Sequence, residues 1–285
     1  MDTPIAMPTL SRFHAPLAPQ LSQHMRAPSL RPDLSALLAR YEPIGLGEMQ
    51  SAALMDRIDT KYVMTTRQLG DLLVAAEGGY RALEVAGTRR SRYESLYYDT
   101  EDLVFYTSHH AGRSARYKVR RRSYTDSNLS FLEVKHKTNK GRTIKERIRT
   151  ERFVGLLGAA KRRFVERMMP GGPPPLQPVL WNTFARITLV SRTTPERVTI
   201  DTALNCWTDR ASVSLDGVVI AEVKQQHLDR LSPIVQELRA LGLRSTGISK
   251  YCVGTALLYR DVKQNRFRPI LRQIDRIMEG SIHGK

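Results

Sequence analysis

The stretch from Arg113 to Arg149, RSARYKVRRRSYTDSNLSFLEVKHKTNKGRTIKERIR, holds the residues best spaced to do chemistry. Three segments within it alternate charged with apolar or aromatic residues, and a side-chain period of two predicts β-strands. Arg116, Lys118 and Arg120 share one face of the first, against Tyr117 and Val119. Phe131, Glu133 and Lys135 share a face of the second, against Leu132, Val134 and His136. In the third, Lys145, Arg147 and Arg149 oppose Ile144 and Ile148. Adjacent strands lie about 4.8 Å apart, so three of them side by side would present cations at a spacing close to that of linked phosphates. A polyanion is the expected ligand. Were that ligand a phosphate chain, such a surface would suit phosphoryl transfer, which needs alignment and cations on the oxygens that gain charge rather than a side-chain nucleophile.

The remaining elements must position these faces. Leu34, Leu37, Leu38 and Tyr41 fall at helical spacing after Asp33, a predicted N-cap. After a turn at Gly45 and Gly47 and a short helical piece, RIDTKYVM, from Arg57 to Met64, predicts a first strand with Lys61 on its inner face. A helix follows, capped by Thr65 or Thr66, burying Leu69, Leu72 and Leu73 and stopping at Gly78 and Gly79. SRYESLYYDTEDLVFYTSHH predicts two aromatic-rich strands around a turn at Asp99 to Asp102, which would send His109 and His110 to opposite faces. An amphipathic helix over residues 152–169 is expected to end in the Pro170 to Pro178 loop, the best candidate for a break between halves. Strands VLWNTFARITLVSR, RVTIDTALN and GVVIAEVKQQ come next, then three helical segments, the last basic and amphipathic from Asn265 to Glu279.

Glu-Val-Lys occurs inside an apolar strand twice, as Glu133 to Lys135 and as Glu222 to Lys224. Glu222 follows Val218, Val219, Ile220 and Ala221, the pattern of a strand covered on both faces. A carboxylate buried there without a partner costs several kcal/mol. It therefore needs a cationic neighbour or a divalent ion, and Mg²⁺ is commonly held by one or two carboxylates plus phosphate oxygens.

Composition sets the limits. Lys and Arg number 45 against 28 Asp and Glu in 285 residues, a net charge of +17, which favours an anionic partner. Two cysteines, Cys206 and Cys252, are too few for a disulfide framework or a thiolate metal site and suit a reducing, cytoplasmic compartment. No apolar run approaches the roughly 20 residues of a membrane span, and no signal-peptide pattern is visible at the N-terminus. Residues 1–30, rich in Pro, Ser and Ala, are expected to form a flexible tail in which His14 and His24 have no ligand-spaced partner. GLRSTGISK at 242–250 is out of register for a Walker loop.

Six motifs in order, DTKYV at 59–63, YKVR at 117–120, LEVKHKT at 132–138, TIKERI at 143–148, AEVK at 221–224 and SKY at 249–251, carry a resemblance. From about Met49 to Tyr259 the sequence resembles a VTC domain, the polyphosphate polymerase module of the vacuolar transporter chaperone complex, within the CYTH-like superfamily of triphosphate tunnel metalloenzymes. The resemblance implies an α+β fold in which an antiparallel β-barrel or tunnel is flanked by helices, over residues 31–262, with 263–285 a C-terminal basic helix and tail. It places phosphate-binding residues at Lys61, Lys118, Arg120, Lys135, Lys145, Arg186, Arg197 and Lys250, with Lys118, Arg120, Lys135 and Lys250 as the catalytic set. Glu222 takes the metal-binding position, with Glu133 as a second candidate ligand for Mn²⁺ or Mg²⁺. Lys118 stands where eukaryotic members carry Arg, losing the bidentate fork, and Phe131 stands where the wider superfamily has the first glutamate of Glu-x-Glu-x-Lys.

The expectation is an enzyme that moves the γ-phosphate of ATP onto polyphosphate, in the cytoplasm or at the inner face of a membrane alongside a membrane protein partner. The runner-up is a tunnel-type triphosphatase or a non-catalytic module that binds polyphosphate or inositol phosphates. A nucleic-acid-binding protein is disfavoured, because the cations alternate with apolar residues in strands, no familiar recognition helix or zinc finger is present, and Glu133 and Glu222 would repel a backbone.

Overall fold

Alternation becomes structure in one large sheet. The computed structural model describes residues 32–51, 57–140, 142–151, 155–169 and 171–282; the 1–30 tail lies outside them. The strands are β1 (Pro43–Ile44), β2 (Ile58–Thr65), β3 (Tyr80–Leu83), β4 (Ser91–Asp99), β5 (Arg116–Tyr124), β6 (Leu129–Lys137), β7 (Thr143–Arg149), β8 (Gln177–Ser191), β9 (Glu196–Trp207), β10 (Ser212–Ser214) and β11 (Val218–Gln225). The helices are α1 (Leu34–Ala39), α2 (Leu46–Ser51), α3 (Thr66–Ala76), α4 (Val104–His110), α5 (Ala159–Met168), α6 (Pro233–Ala240), α7 (Lys250–Leu258) and α8 (Arg268–Ile282).

The main path runs β2-β11-β9-β8-β4-β5-β6-β7, antiparallel throughout, with β3 added to β8, β10 to β9, and a short parallel pair between β1 and β3. The sheet is an open tunnel wall rather than a closed barrel, with β2 and β7 as the two ends of the path. It nevertheless curls. Lys61 of β2 and Glu222 of β11 both act electrostatically on Lys135 of β6, at the opposite end of the strand order. The protein is thus α+β, with both halves of the chain in one sheet and the loop before β8 joining rather than dividing them.

Helices cover the sheet. α3 and α6 pack on β2, β9 and β11 through Leu69, Leu72, Leu73, Ile234 and Leu238, all essentially inaccessible to water. α7 and α8 fill one end of the concave side with Tyr251, Val253, Ile270 and Ile274. Gly254 lets α7 approach closely, since a Cβ there would lie 2.8 Å from Leu180 Cδ2 and 3.1 Å from Cys206 Sγ. α8, the expected C-terminal basic helix, turns its apolar face into this same cluster.

The helix expected over residues 152–169 begins only at Ala159, with 155–158 non-helical and 152–154 outside the described residues. Another element changes type. The second aromatic strand is instead helix α4, which ends in His109 and His110. The cause is Asp99. Its carboxylate, fully buried at the end of β4, accepts from the amides of Phe105 and Tyr106 and from the Tyr251 hydroxyl, satisfying the first turn of a helix.

Candidate phosphate-binding site

Register decides what the basic strands do. Pairing of β5, β6 and β7 sets Lys118 opposite Lys135 and Lys135 opposite Lys145, a row of three lysines across the concave face. The next row is Arg120, Glu133 and Arg147, and the one after it Arg122, Phe131 and Arg149. Like charges facing each other on adjacent strands are destabilising. Some other requirement keeps them there.

Three carboxylates each bridge two cations. Glu133, 1% exposed, receives Arg120 Nε at 2.7 Å and Lys145 Nζ at 2.8 Å. Asp201 receives the Arg186 guanidinium in a fork, at 2.6 and 2.7 Å, together with the Lys250 ammonium. Glu222 receives Lys61 at 3.0 Å and also Lys224, whose ammonium lies 3.8 Å from Asp59. Strand pairing explains each bridge, because Arg120 faces Glu133, Arg186 faces Asp201 and Lys61 faces Glu222 across adjacent strands.

The fields follow from these contacts. Burial alone would raise Glu133, but Arg120, Arg122 and Lys145 outweigh it and hold its carboxyl below the usual range. Asp201 is held low against burial by Arg186 and Lys250, and Glu222 by Lys224 and Lys61. Lys224 is pushed down to about 8 by burial, which its pairing with Glu222 and Asp59 only partly offsets. Burial, then Lys118 and Lys61, also lower Lys135, which has no ion-pair partner among the described residues. Lys135 is accessible to water yet flanked by protein, as a residue lining a wet, concave channel must be.

α7 completes the lining. Ser249 caps it by accepting from the Cys252 amide, and the same hydroxyl accepts from Lys118 Nζ at 2.9 Å. Lys250, the first residue of α7, sits 4.5 Å from the Phe184 ring centroid. Arg186 lies over Tyr93 and Phe184 at 5.0 and 5.2 Å, and Arg122 over the same rings at 5.5 and 5.7 Å. Aromatic faces thus hold the cations that approach the carboxylates from the sheet floor.

Of the residues singled out in the sequence, Lys61, Lys118, Arg120, Lys135, Lys145, Arg186, Lys250, Glu133 and Glu222 come together on this concave side. Arg197 pairs with Lys224 across strands but donates to the Met49 carbonyl at 3.3 Å and contacts no carboxylate among the described residues. Sequence reasoning missed Arg122, Lys224, Asp201 and Ser249. The first two carried a signal, Arg122 as the next alternating position after Arg120 and Lys224 as the lysine of the second Glu-Val-Lys. Asp201 and Ser249 carried none, because their importance lies in pairing with residues far away in sequence.

A divalent ion finds one suitable protein donor here. No group of three or more His, Cys, Asp or Glu side chains is close enough to hold a metal among the described residues. Glu222 is partly open and held by two flexible lysines, so it fits as a single carboxylate ligand whose other donors would be phosphate oxygens. Both carboxylates have each oxygen engaged by a cation, but the Glu133 side chain is 1% exposed against 19% for Glu222, which makes Glu222 the better placed of the two.

No curated protein matches the sequence at a significant level. Solved structures with a similar fold include a provisionally named adenylate cyclase of Bacillus halodurans, at 11% identity over 68% of this chain and 94% of that chain, with a TM-score of 0.44. Another, from Vibrio parahaemolyticus, is 13% identical over 68% of this chain and 94% of its own, with a TM-score of 0.39. A provisionally named adenylyl cyclase of Hippeastrum, described as having a dominant triphosphatase activity, is 12% identical over 73% of this chain and 98% of its own, with a TM-score of 0.44. The model of the VTC domain matches residues 56–170 and 173–259, which span every strand of the basic channel, and the chain belongs to the VTC domain family.

Proposed function

We propose that this protein is a polyphosphate polymerase that transfers the γ-phosphate of ATP to the end of a growing polyphosphate chain. The observation that carries the reading is the lysine row. Lys118, Lys135 and Lys145 face one another across three strands, and Lys135, in the middle, has no ion-pair partner among the described residues, with Glu222 and Asp59 acting on it only from a distance. An arrangement that repels itself when empty is suited to a ligand with several linked negative charges.

In this reading the triphosphate of ATP lies along the concave side, its oxygens bound by Lys118, Arg120, Lys135, Lys145, Arg186 and Lys250, with Lys61 and Arg197 toward the β2 side. A terminal oxygen of the polyphosphate chain attacks the γ-phosphorus, and the bond from that phosphorus to the β,γ-bridging oxygen breaks. ADP leaves with the electron pair and the chain is one unit longer. Lys118, Lys135 and Lys250 would stabilise charge spreading over the transferred group, and Arg120 and Arg186, braced by Glu133 and Asp201, would fix its orientation. A divalent ion on Glu222 would add charge neutralisation at the phosphate oxygens. No side chain needs to act as nucleophile. The same cations would hold ATP for hydrolysis or polyphosphate for binding alone, so the decisive property is chain growth.

The test is incubation with γ-labelled ATP and Mn²⁺, with the products resolved on a polyacrylamide gel. A ladder of long, acid-labile chains that is absent with Glu222→Gln supports the reading. Free phosphate alone selects a triphosphatase, and tight tripolyphosphate binding without turnover selects a binding module.

A further inference from the structure

A second basic cavity has none of the channel's cations or carboxylates among its described lining residues. It has a volume of about 1310 Å³ and is walled by the end of β2, the first turn of α3, the segment from Gly242 to Thr246 and one face of α8. Arg67, Arg244 and Arg276 line it from three separate elements, and none of its described lining residues is acidic. All three arginines are exposed and have no carboxylate partner among the described residues. Arginines from three distant parts of the chain thus line one concavity whose described lining holds no acidic residue, with Arg276 Nε also donating to the Arg272 carbonyl at 3.2 Å.

The rest of the wall suits phosphate. Ser245, Thr246 and Ser281 also line the cavity, and the eleven-residue α3 begins at its edge, adding the positive end of a helix dipole. The wall is also fixed rather than assembled from loose surface residues. Gln68 Nε2 donates to the Leu241 carbonyl at 3.3 Å, Thr246 N to the Lys61 carbonyl at 2.8 Å, and Gln273 Nε2 to the Val63 carbonyl at 3.1 Å. The volume exceeds the roughly 300–1,000 Å³ typical of small-molecule sites, which favours a ligand with several phosphates over a single one.

We propose that this cavity is a second binding site for a compact, phosphate-rich polyanion, separate from the channel and coupled to it. The coupling has a visible route. Two walls are hydrogen-bonded to the backbone of β2 at Lys61 and Val63, and Lys61 holds Glu222 on the channel side. The segment from Gly242 continues into Ser249 and Lys250, which contact Lys118 and Asp201. An anion drawing Arg67, Arg244 and Arg276 together would brace both segments that carry channel residues.

The site does not depend on what the channel does with its ligand. The test is calorimetric titration at near-physiological salt with tripolyphosphate and, separately, with myo-inositol hexakisphosphate. Three proteins are compared: the wild type, an Arg67→Ala/Arg244→Ala/Arg276→Ala variant, and a control losing equal charge through exposed Arg210→Ala, Arg260→Ala and Arg163→Ala. Two binding events are expected for at least one of the ligands in the wild type and control, with one of the two lost from the cavity variant while the channel event persists. The ligand that shows the second event says whether a linear phosphate chain or a ring-borne cluster of phosphates is the source. A single event with both ligands in the wild type, or equal losses in the cavity variant and the control, would overturn the proposal. A protein that fails to extend polyphosphate yet keeps the arginine-dependent event would sink the polymerase reading alone.

Discussion

Lys118 and Ser249 are 131 residues apart in sequence, and the Lys118 ammonium donates to the Ser249 hydroxyl across 2.9 Å. The same oxygen caps α7 by accepting from the Cys252 amide. One hydroxyl thus ties the strand that carries Lys118 to the helix that presents Lys250. Removing it in Ser249→Ala should cost about 1 kcal/mol through the lost cap, or a Tm decrease of about 2–4 °C for a protein of this size. It should also weaken tripolyphosphate binding by loosening two cations at once, and Ser249→Thr, which keeps an oxygen, should restore both properties. Calorimetry on the two variants checks this. Unchanged affinity in Ser249→Ala would mean that α7 is positioned by its apolar packing alone.

Acid should loosen the protein through its bridging carboxylates. Glu133 and Asp201 are held below the ordinary carboxylate range by Arg120 and by Arg186 respectively, against the opposing effect of burial. A lowered folded pKa means that the unfolded chain takes up the proton first as pH falls. Their contribution is therefore complete above about pH 4 and is lost as pH falls through the lowered folded values. Glu133→Gln strands Arg120 and Lys145 without a counter-charge and should cost about 3 kcal/mol at neutral pH, the low end for a broken buried pair because Lys145 remains 42% exposed. Urea melts of the wild type and variant at pH 7 and pH 3 should show a wide gap that narrows in acid. A gap independent of pH would assign the loss to packing.

Much of this could be read from side-chain alternation, and the exceptions are instructive. The faces of β5 and β6 follow from period-two spacing, because Tyr117, Val119, Leu132 and Val134 turn to an apolar cluster and the alternating charges turn to the channel, whereas β7 is largely exposed and meets that cluster only through Ile148. α4 has the sequence pattern of a strand because Val104, Phe105 and Tyr106 have strand propensity, whereas the buried carboxylate of Asp99 supplies acceptors for a helix start. The site was legible as a set of cations but not as three bridges. Arg186 and Asp201 sit on neighbouring strands whose register is shifted by an irregularity between Thr183 and Ala185, which no local pattern reveals. Ser249 entered only as part of a short motif, with nothing to announce its contact with β5.

Lys224 should give the channel a pH dependence near neutrality. Burial lowers its ammonium to about 8, even with Glu222 beside it. Since the unfolded lysine keeps its proton to about pH 10.4, folding stability from this group rises with pH between about 8 and 10, whereas the positive charge offered to an anion falls. Tripolyphosphate affinity should therefore weaken from pH 7 to pH 9 more than screening by buffer ions accounts for. Lys224→Met should flatten that part of the profile. Parallel wild-type and variant curves would place the titration on another group.

Repulsion in the lysine row sets the final expectation. Lys135 is flanked by Lys118 and Lys145 on the adjoining strands and has no carboxylate partner among the described residues, so its charge strains the empty protein. Lys135→Met keeps a chain of similar length, fills the same space and removes the repulsion. It should leave the empty protein equally stable or raise its Tm by a few degrees. Tripolyphosphate at about 100 times its Kd should stabilise the wild type by about 2.7 kcal/mol, and Lys135→Met should lose about 1.5–3 kcal/mol of binding free energy with the charge-assisted contact. Thermal melts with and without ligand would show the two curves crossing, the variant higher when empty and lower when saturated. A variant less stable in both states would mean that Lys135 is held for packing, and its charge would then have no part in binding phosphate.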